Sequence, residues 1–289
     1  MAVIALASAK SSGVTTASLA LALASPRPTL LAECDPSGGS IRGGFLGGQL
    51  NPHVGVYQLA TAERQGPEHL AAAFAQQLRA LDGRGDRQLL AGLADPRQAA
   101  AMAGTWAPLA QLLRLMDSQA GYDVIIDAGR LVTEAGGLHP VLSPSAVLHH
   151  ADVVLLVVNG WLDSVAATAP VIELLQAELA ARGSGADALG VLLVEDGPER
   201  PHGVSSALGV PVVAGLPWDA APAAHLRRGA AAPRNFTRSP LMRSARSACG
   251  PIEALAQHRR VRQMPSQQPS PGVAGVLQRL AQARGTIHA

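Results

Sequence analysis

The chain has 289 residues, of which 48% are hydrophobic, 15% charged and 3% aromatic, so its core must be aliphatic. That length suits one large or two small domains. Two cysteines are too few for a disulfide framework, which indicates a reducing cytoplasm, and no apolar run approaches the roughly 18 residues of a membrane-spanning helix.

Charge is divided unevenly along the chain. Residues 1–219 contain 12 Lys and Arg against 20 Asp and Glu, whereas residues 220–289 contain 11 arginines against one acid, Glu253. A basic tail of this kind predicts contact with an acidic partner, DNA or an anionic membrane surface. A solubilising role explains the same charges equally well, so both interpretations stay open.

Short apolar runs predict strands that are covered on both faces. They are Val3–Ala7, Thr29–Ala32, Gln88–Leu93, Val124–Asp127, Val153–Val158, Ala188–Val194 and Val210–Ala214. Alanine-rich stretches between them predict helices at 14–25, 67–82, 97–118, 163–182 and 201–208. This alternation predicts an α/β fold with a doubly wound, mainly parallel sheet flanked by helices, complete by about Pro217.

A basic helical extension follows the predicted sheet. Helices are predicted near 221–229 and 239–257, then a proline-rich linker at Met264–Gly272 and a short amphipathic helix at 273–284. We divide the chain into a domain at 1–250 and a basic linker with a terminal helix at 251–289. That helix has four large apolar residues and would bind lipid weakly, so we favour its docking on the domain or on a partner.

The single lysine of the chain opens a candidate phosphate-binding loop. The loop lies between the first predicted strand and the first helix and reads Lys10-Ser11-Ser12-Gly13-Val14-Thr15-Thr16. Backbone N–H groups and a helix N-terminus bind phosphate, and a threonine hydroxyl can coordinate Mg²⁺. The usual loop ends in Gly-Lys-Ser/Thr, whereas Val14 follows Gly13 here. Chance placement of one lysine is the alternative.

Two later segments place carboxylates at strand ends. Glu33 and Asp35 follow the second predicted strand, and Asp127 ends the run Tyr122-Asp123-Val124-Ile125-Ile126-Asp127. Ligands of α/β sheets bind at the carboxyl ends of the strands, and an acid so placed organises Mg²⁺ in phosphate-loop proteins. Each acid alone is also typical of a helix cap or a turn. Their order after the loop favours a site.

Together these segments resemble the MinD/ParA family of deviant Walker ATPases. The family's loop reads Lys-Gly-Gly-x-Gly-Lys-Thr-Thr, its second strand ends Asp-x-Asp-Pro, and a later strand reads Tyr-Asp-x-Ile-Ile-Asp. The resemblance covers roughly residues 1–250 and ends at Leu216-Pro217-Trp218-Asp219, which is similar to the family's adenine-proximal segment. It implies a P-loop NTPase-like fold, a homodimer, and ATP and Mg²⁺ as cofactors. The cysteine count and the lack of a long apolar run predict a cytoplasmic protein, and the terminal helix would give it a peripheral place at the inner face of the membrane if it contacts lipid.

The resemblance assigns roles to residues of this chain. Lys10 would be the signature lysine that reaches the phosphates of a dimer partner, and Asp35 would lie in the switch that positions water or metal. The catalytic residues would therefore be Lys10 and Asp35. Mg²⁺ would be held by Thr15, Asp35 and Asp127. The nucleotide-binding residues would be Lys10, Ser11, Ser12, Gly13, Val14, Thr15, Thr16, Pro217 and Asp219.

Departures from the family pattern affect the expected activity. The loop is one residue shorter, Val14 replaces its second lysine, Glu33 replaces an aspartate, and Val194-Glu195 replaces an Asn-Arg pair that helps to hold adenine. Loss of one charge-stabilising donor commonly lowers the rate by about 10²–10³. We therefore predict weak or absent ATP hydrolysis, although Lys10 or Arg130 could supply some of the missing charge.

Three functions are consistent with the sequence. The first is a nucleotide-binding regulator of spatial positioning or assembly, similar to the pilus-assembly and septum-site branches of the family, which binds a protein partner. The second is an active ATPase for chromosome or plasmid partitioning that binds DNA through the arginines of residues 227–262. The third is a nucleotide-free interaction module.

Overall fold

Strands and helices alternate along most of the chain in the computed structural model, which describes residues 2–260 and 270–285. The strands are β1 (Val3–Ser8), β2 (Thr29–Glu33), β3 (Leu78–Ala80), β4 (Arg87–Leu90), β5 (Asp123–Arg130), β6 (Thr133–Glu134), β7 (Gly137–Leu138), β8 (Val153–Asn159), β9 (Leu189–Glu195) and β10 (Val212–Pro217). The α-helices are α1 (Val14–Ala24), α2 (Ser40–Gly43), α3 (Tyr57–Glu63), α4 (Pro67–Gln77), α5 (Trp106–Ser118), α6 (Ser145–His149), α7 (Leu162–Arg182), α8 (Pro201–Leu208), α9 (Ala220–Arg228), α10 (Pro240–Arg260) and α11 (Pro271–Gly285).

One eight-stranded sheet organises the fold, in the order β10-β9-β8-β1-β5-β2-β4-β3. All neighbouring strands are parallel except β3, which pairs antiparallel with β4 at one edge. β6 and β7 form a separate hairpin. β1 lies near the middle, between β8 and β5, so the loop after β1 emerges at the centre of the carboxyl edge of the sheet. The predicted doubly wound α/β fold is confirmed.

Apolar clusters cover both faces of the sheet. On one face α1 and α10 pack together over the central strands. On the other face α4, α5, α7 and α11 contribute to a second cluster. β1 and β8 are almost wholly buried, which explains why their sequences are apolar without alternation.

Two of the predicted helices are wrong in extent. The helix predicted at 67–82 ends at Gln77, and Leu78–Ala80 forms an edge strand because it pairs with β4. The helix predicted at 97–118 is divided. Asp95 caps a 3₁₀ helix at Pro96–Met102, and α5 begins only after Gly104, at Trp106. α2 and α3 were not predicted, because the glycine-rich stretch around them has no helical periodicity.

The C-terminal extension packs on the domain. α10 runs across residue 250, where we placed a domain boundary, and contacts α1 and β10. The boundary therefore falls inside a helix. α11 lies on α4, with Val273, Val276 and Leu277 buried in the same cluster as Phe74. Most of the predicted linker, residues 264–269, lies outside the described residues, as does Arg262.

Among the helices of the described residues, none combines the length and the apolar character needed to cross a bilayer.

Candidate functional site

The segment between β1 and α1 forms a tight loop at the carboxyl edge of the sheet. Gly13 caps α1 with a φ of +88°, a left-handed conformation that residues with a Cβ rarely adopt. The Ser12 hydroxyl donates to the carbonyl oxygen of Lys10 and closes the loop on itself. The first turn of α1 leaves its N–H groups directed toward this edge, where they carry a partial positive charge.

A cavity of about 610 Å³ lies in front of this loop. Its volume is within the range of small-ligand sites, about 300–1,000 Å³. Of the predicted site residues, those that line it are Ser11, Ser12, Gly13, Val14, Thr15, Thr16, Asp35, Pro217 and Asp219. The loop, the end of β2 and the end of β10, which are distant in sequence, therefore meet around one space. Lys10 and Asp127 do not line it.

Lys10 points away from the cavity. Its Nζ lies 2.6 Å from Oδ2 of Asp163, in the first turn of α7. Both side chains are open to solvent, with 59% and 68% of their surfaces exposed. The hydrogen bond from Lys10 lowers the pKa of Asp163, and the pair is screened by water. Lys10, which the resemblance matches to the signature lysine, therefore contacts Asp163 outside the cavity in this structure.

Val14 is part of the apolar core. It is buried with residues of α1 and neighbouring strands, at the position where the family loop has its second lysine. The loop thus carries no cation of its own into the cavity.

Asp127 lies beneath the loop and is fully buried. Its Oδ1 accepts a hydrogen bond from the Gly129 N–H at 3.0 Å, while Oδ2 has no hydrogen-bond partner of standard geometry. Burial raises the pKa of Asp127 to about 7, with a further increase from Glu33, and the Thr15 hydroxyl opposes this rise. An orphaned carboxylate oxygen beside a threonine hydroxyl is a donor set that fits a hydrated Mg²⁺.

Asp35 and Thr15 are joined to the loop that follows β2. Asp35 Oδ1 accepts hydrogen bonds from the N–H and hydroxyl of Ser37 at 2.8 and 2.7 Å. Burial raises the pKa of Asp35, whereas Arg130 lowers it. The Ser40 hydroxyl donates to Thr15 Oγ1 at 3.2 Å and so connects α2 to α1.

Close approach of Asp35 to β5 depends on a glycine. Gly129 has a φ of +65°, and a Cβ there would overlap the Asp35 carboxylate. This glycine therefore lets the two acid-bearing strand ends come together.

Glu33 has a structural part in this site. Its carboxylate is buried and accepts hydrogen bonds from the N–H groups of Ile41 at 2.9 Å and Gly92 at 2.8 Å. Burial raises its pKa, and these hydrogen bonds lower it. A Cβ at Gly39 or Gly92 would lie within 3.0 Å of the Glu33 side chain. Glu33 thus fixes the Asp35–Ile41 loop against the end of β4.

Among the described residues, no group of three or more His, Cys, Asp and Glu side chains is arranged to hold a metal ion. Mg²⁺ commonly binds through one or two carboxylates together with substrate phosphates and water. Thr15, Asp35 and Asp127 fit such an incomplete site.

Residues that we did not assign to the site also line the cavity. They are chiefly Trp218, Arg227 and Arg228. Trp218 lies between Pro217 and Asp219, which we did assign, so its position in the sequence was enough to predict that it belongs to the site. The partitioning alternative alone gave the two arginines a role, in DNA contact, and only the packing of α9 shows them at the cavity. Val194 lines the cavity, whereas the Glu195 carboxylate lies against Gly215 of β10.

The arginines at the end of α10 are engaged within the protein. Arg259 is 3% exposed and donates to the carbonyl oxygens of Asp152 and Ser184. Arg260 bridges the buried carboxylates of Asp117 and Asp152. These two residues are therefore unavailable to the phosphates of nucleic acid in this structure.

Comparison with solved structures identifies proteins that share this fold. Neither the family models nor the curated proteins match the sequence. The septum site-determining protein MinD from Pyrococcus horikoshii OT3, complexed with Mg-ADP, matches with 17% identity and a TM-score of 0.63, over 89% of this chain and 98% of that chain. MinD in the MinC:MinD cell division complex from Aquifex aeolicus matches with 16% identity and a TM-score of 0.58, over 93% and 99%.

A ParA family ATPase from Chlorobium tepidum TLS matches with 16% identity and a TM-score of 0.58, over 86% of this chain and 98% of that chain. Matches at such low identity show a common fold. The chain therefore has the P-loop NTPase-like fold of the MinD and ParA ATPases.

Proposed function

We propose that the chain is a MinD/ParA-like nucleotide-binding protein with a degenerate phosphate loop. It would regulate spatial positioning or assembly, with weak or no ATP hydrolysis. One observation carries the proposal. The cavity at the carboxyl edge is bounded by the loop and the N-terminus of α1, yet Val14 is buried in the core and Lys10 lies outside the cavity.

The cavity walls suit the two ends of a nucleotide. Val194, Leu216 and Trp218 give one end apolar and aromatic surface, which favours a base. The N–H groups at the start of α1 and the hydroxyls of Thr15 and Thr16 suit phosphate at the other end. Asp35 and the buried Asp127 would hold Mg²⁺, which would neutralise phosphate charge. The MinD structure from Pyrococcus horikoshii contains Mg-ADP, which supports the same ligand class here.

Weak hydrolysis follows from the absence of a cation on the loop itself. Phosphoryl transfer requires preorganised positive charge at the phosphoryl oxygens, and this loop provides only N–H groups and hydroxyls. Lys10 and Asp35 are the residues that we propose for any residual catalysis. The protein would thus act mainly through the difference between its nucleotide-bound and nucleotide-free states.

We also propose a homodimer and a protein partner in a localisation, pilus or partition system. Trp161 and Leu162 support this proposal, since they are 51% and 71% exposed and adjoin Asp163, the contact of Lys10. Exposed large apolar residues of this kind commonly mark interaction sites.

Thr15→Ala tests the proposed nucleotide site. We expect wild-type protein to bind ATP in the presence of Mg²⁺ by calorimetry, and the variant to bind at least about tenfold more weakly because a hydroxyl contact to a charged group is lost. Thr61→Ala, at an exposed position on α3, should bind like wild type. Phosphate release by wild-type protein should stay far below about 1 s⁻¹, the lower end of typical turnover. Turnover above that rate that depends on Thr15 would favour the active partitioning ATPase instead, and absence of ATP binding would refute the proposal.

A further inference from the structure

One face of α9 forms a wall of the cavity. The residues on that wall recur at helical spacing, and in chain order they are Ala220, Ala223, Ala224, Arg227 and Arg228. Positions spaced by three, four, seven and eight residues share one helix face. The small alanine side chains keep the first two turns of that wall open, and the last turn places two arginines on it.

The contacts of α9 show at which end of the cavity these arginines lie. The carbonyl oxygen of Arg227 is so close to Gly44 that a Cβ there would overlap it. Gly44 caps the C-terminus of α2, and Ser40, the first residue of α2, donates to the Thr15 hydroxyl. α9 begins directly after Trp218 and Asp219. It therefore runs from the base end of the cavity toward the loop.

Aromatic contacts hold the last turn of α9 in place. The His225 ring lies between Phe45 and Phe236, with ring centroids 5.4 and 4.8 Å away and edge-to-face geometry. Two of the three phenylalanines of the chain are thus used to fix this turn. Gly229, with a φ of +64°, then ends the helix in a left-handed cap. The backbone that carries the two arginines is consequently anchored.

Two exposed guanidinium groups, those of Arg227 and Arg228, belong to this wall. Within residues 2–260 and 270–285, neither Arg227 nor Arg228 forms a hydrogen bond or ion pair with an acid. The third arginine on the cavity wall, Arg130, already acts on the Asp35 carboxylate. Cationic side chains of this length, exposed beside an anion-binding helix N-terminus, suit phosphate oxygens.

We propose that Arg227 and Arg228 supply the positive charge for the polyphosphate chain of a nucleotide bound in this cavity, in place of the lysine that Val14 replaces. The inference rests on the proposed nucleotide-binding function and adds the element that provides the charge. The cation thus enters from α9, across the cavity from the loop. In the competing explanation, the two arginines only stabilise the negative end of the α9 dipole. Their removal would then lower the stability of the protein without changing its affinity for the ligand.

Calorimetry with Mg-ATP and with inorganic triphosphate tests the inference in the full-length protein. Arg227→Gln and Arg228→Gln, singly and together, remove the charges. Arg243→Gln removes an equally exposed arginine of α10 that does not line the cavity. We expect the double variant to bind both probes about 10-fold to 100-fold more weakly, since charge-assisted hydrogen bonds are lost, with little change for adenosine. Arg243→Gln should match wild type, and thermal unfolding of each variant checks that it is folded.

The outcomes separate the two claims. If wild type binds neither Mg-ATP nor triphosphate, the proposed function and this inference both fail. If wild type binds both, and the double variant binds them with wild-type affinity, only the inference is wrong. Lys10→Ala is the last variant to be compared. If it alone loses triphosphate affinity, Lys10 supplies the charge and the inference is wrong. If the double glutamine variant unfolds, a variant with both Arg227→Lys and Arg228→Lys takes its place, because it retains the charge. That variant should keep most of the triphosphate affinity, and loss of this affinity would overturn the inference.

Discussion

Asp127 has an environment that differs greatly from that of an ordinary surface carboxylate. Its side chain is fully buried, Oδ2 has no partner of standard geometry, and the nearby Glu33 is also an acid. Ionising such a group within the protein costs free energy that neither Thr15 nor Gly129 fully offsets. The same feature that fits a metal-organising acid should therefore destabilise the ligand-free protein at alkaline pH.

Asp127→Asn should stabilise the ligand-free protein in a pH-dependent manner. Because the folded pKa is about 7 and the ordinary value is 3.8, the folded protein retains a proton between these pH values that the unfolded chain releases. Stability of wild type therefore falls as pH rises from about 4 to about 7, and the loss persists above. The variant should gain up to roughly 4 kcal/mol at pH 8, since raising a pKa by one corresponds to about 1.4 kcal/mol, and almost nothing near pH 4.

Urea unfolding of wild type and Asp127→Asn at both pH values measures this difference. An equal difference at pH 4 and pH 8 would show that the substitution acts through packing alone.

The terminal helix α11 packs on a surface that the sequence did not identify. Its apolar residues would suit either lipid or protein, and here they pack on α4, with Val273, Val276 and Leu277 buried. Glu68 of α4 lies against Gly272, where a Cβ would overlap its carboxylate. The charge and apolar spacing of α11 could not identify its partner, because the contact joins α11 to α4, about 200 residues earlier in the chain.

Leu277→Asp should release α11 and leave the sheet domain folded. Burial of an unpaired carboxylate is strongly unfavourable, so the helix should detach. The sheet should stay folded because α11 packs chiefly on α4 and adds no strand to it. Limited proteolysis and hydrogen exchange should show faster cleavage and exchange in residues 271–285, with the main thermal transition nearly unchanged. Gln278→Asp, at an exposed position, is the matched control and should behave like wild type. Cooperative loss of the whole domain in Leu277→Asp would instead make α11 part of the central core.

For the whole molecule, the sequence predicted the layered fold well and the site less completely. Strand runs such as Val153–Val158 are apolar on both faces, and this local property was sufficient to place them in a parallel sheet. By contrast, β3 depends on pairing with β4, which no local pattern in Leu78-Arg79-Ala80 reveals. The position of the loop between β1 and α1 was also predictable from local residues.

The directions of the charged side chains were not predictable. Lys10 contacts Asp163, 153 residues away in the chain, and the place of Arg227 depends on how α9 packs beside α2. Such contacts follow from the assembled sheet, whereas the sequence only indicates that the charges exist.

Dimer formation is the prediction that belongs to the whole molecule. Trp161 and Leu162 expose apolar surface beside the loop, so a second copy that covers them would remove that surface from water. We expect sedimentation to show a species of 29.6 kDa without ligand and about twice that mass with Mg-ATP. Trp161→Glu should stay monomeric while still binding nucleotide, because Trp161 does not line the cavity. A mass unchanged by Mg-ATP would contradict the proposed dimer.

The outward contact of Lys10 has a consequence for the loop. Water surrounds both the ammonium group and Asp163, so their attraction is weak and the lysine can exchange one acceptor for another at little cost in free energy. The lysine side chain has a flexible four-carbon stem, and 59% of its surface is exposed. Lys10 can therefore leave Asp163 and bind another anion that approaches the loop at this edge of the sheet.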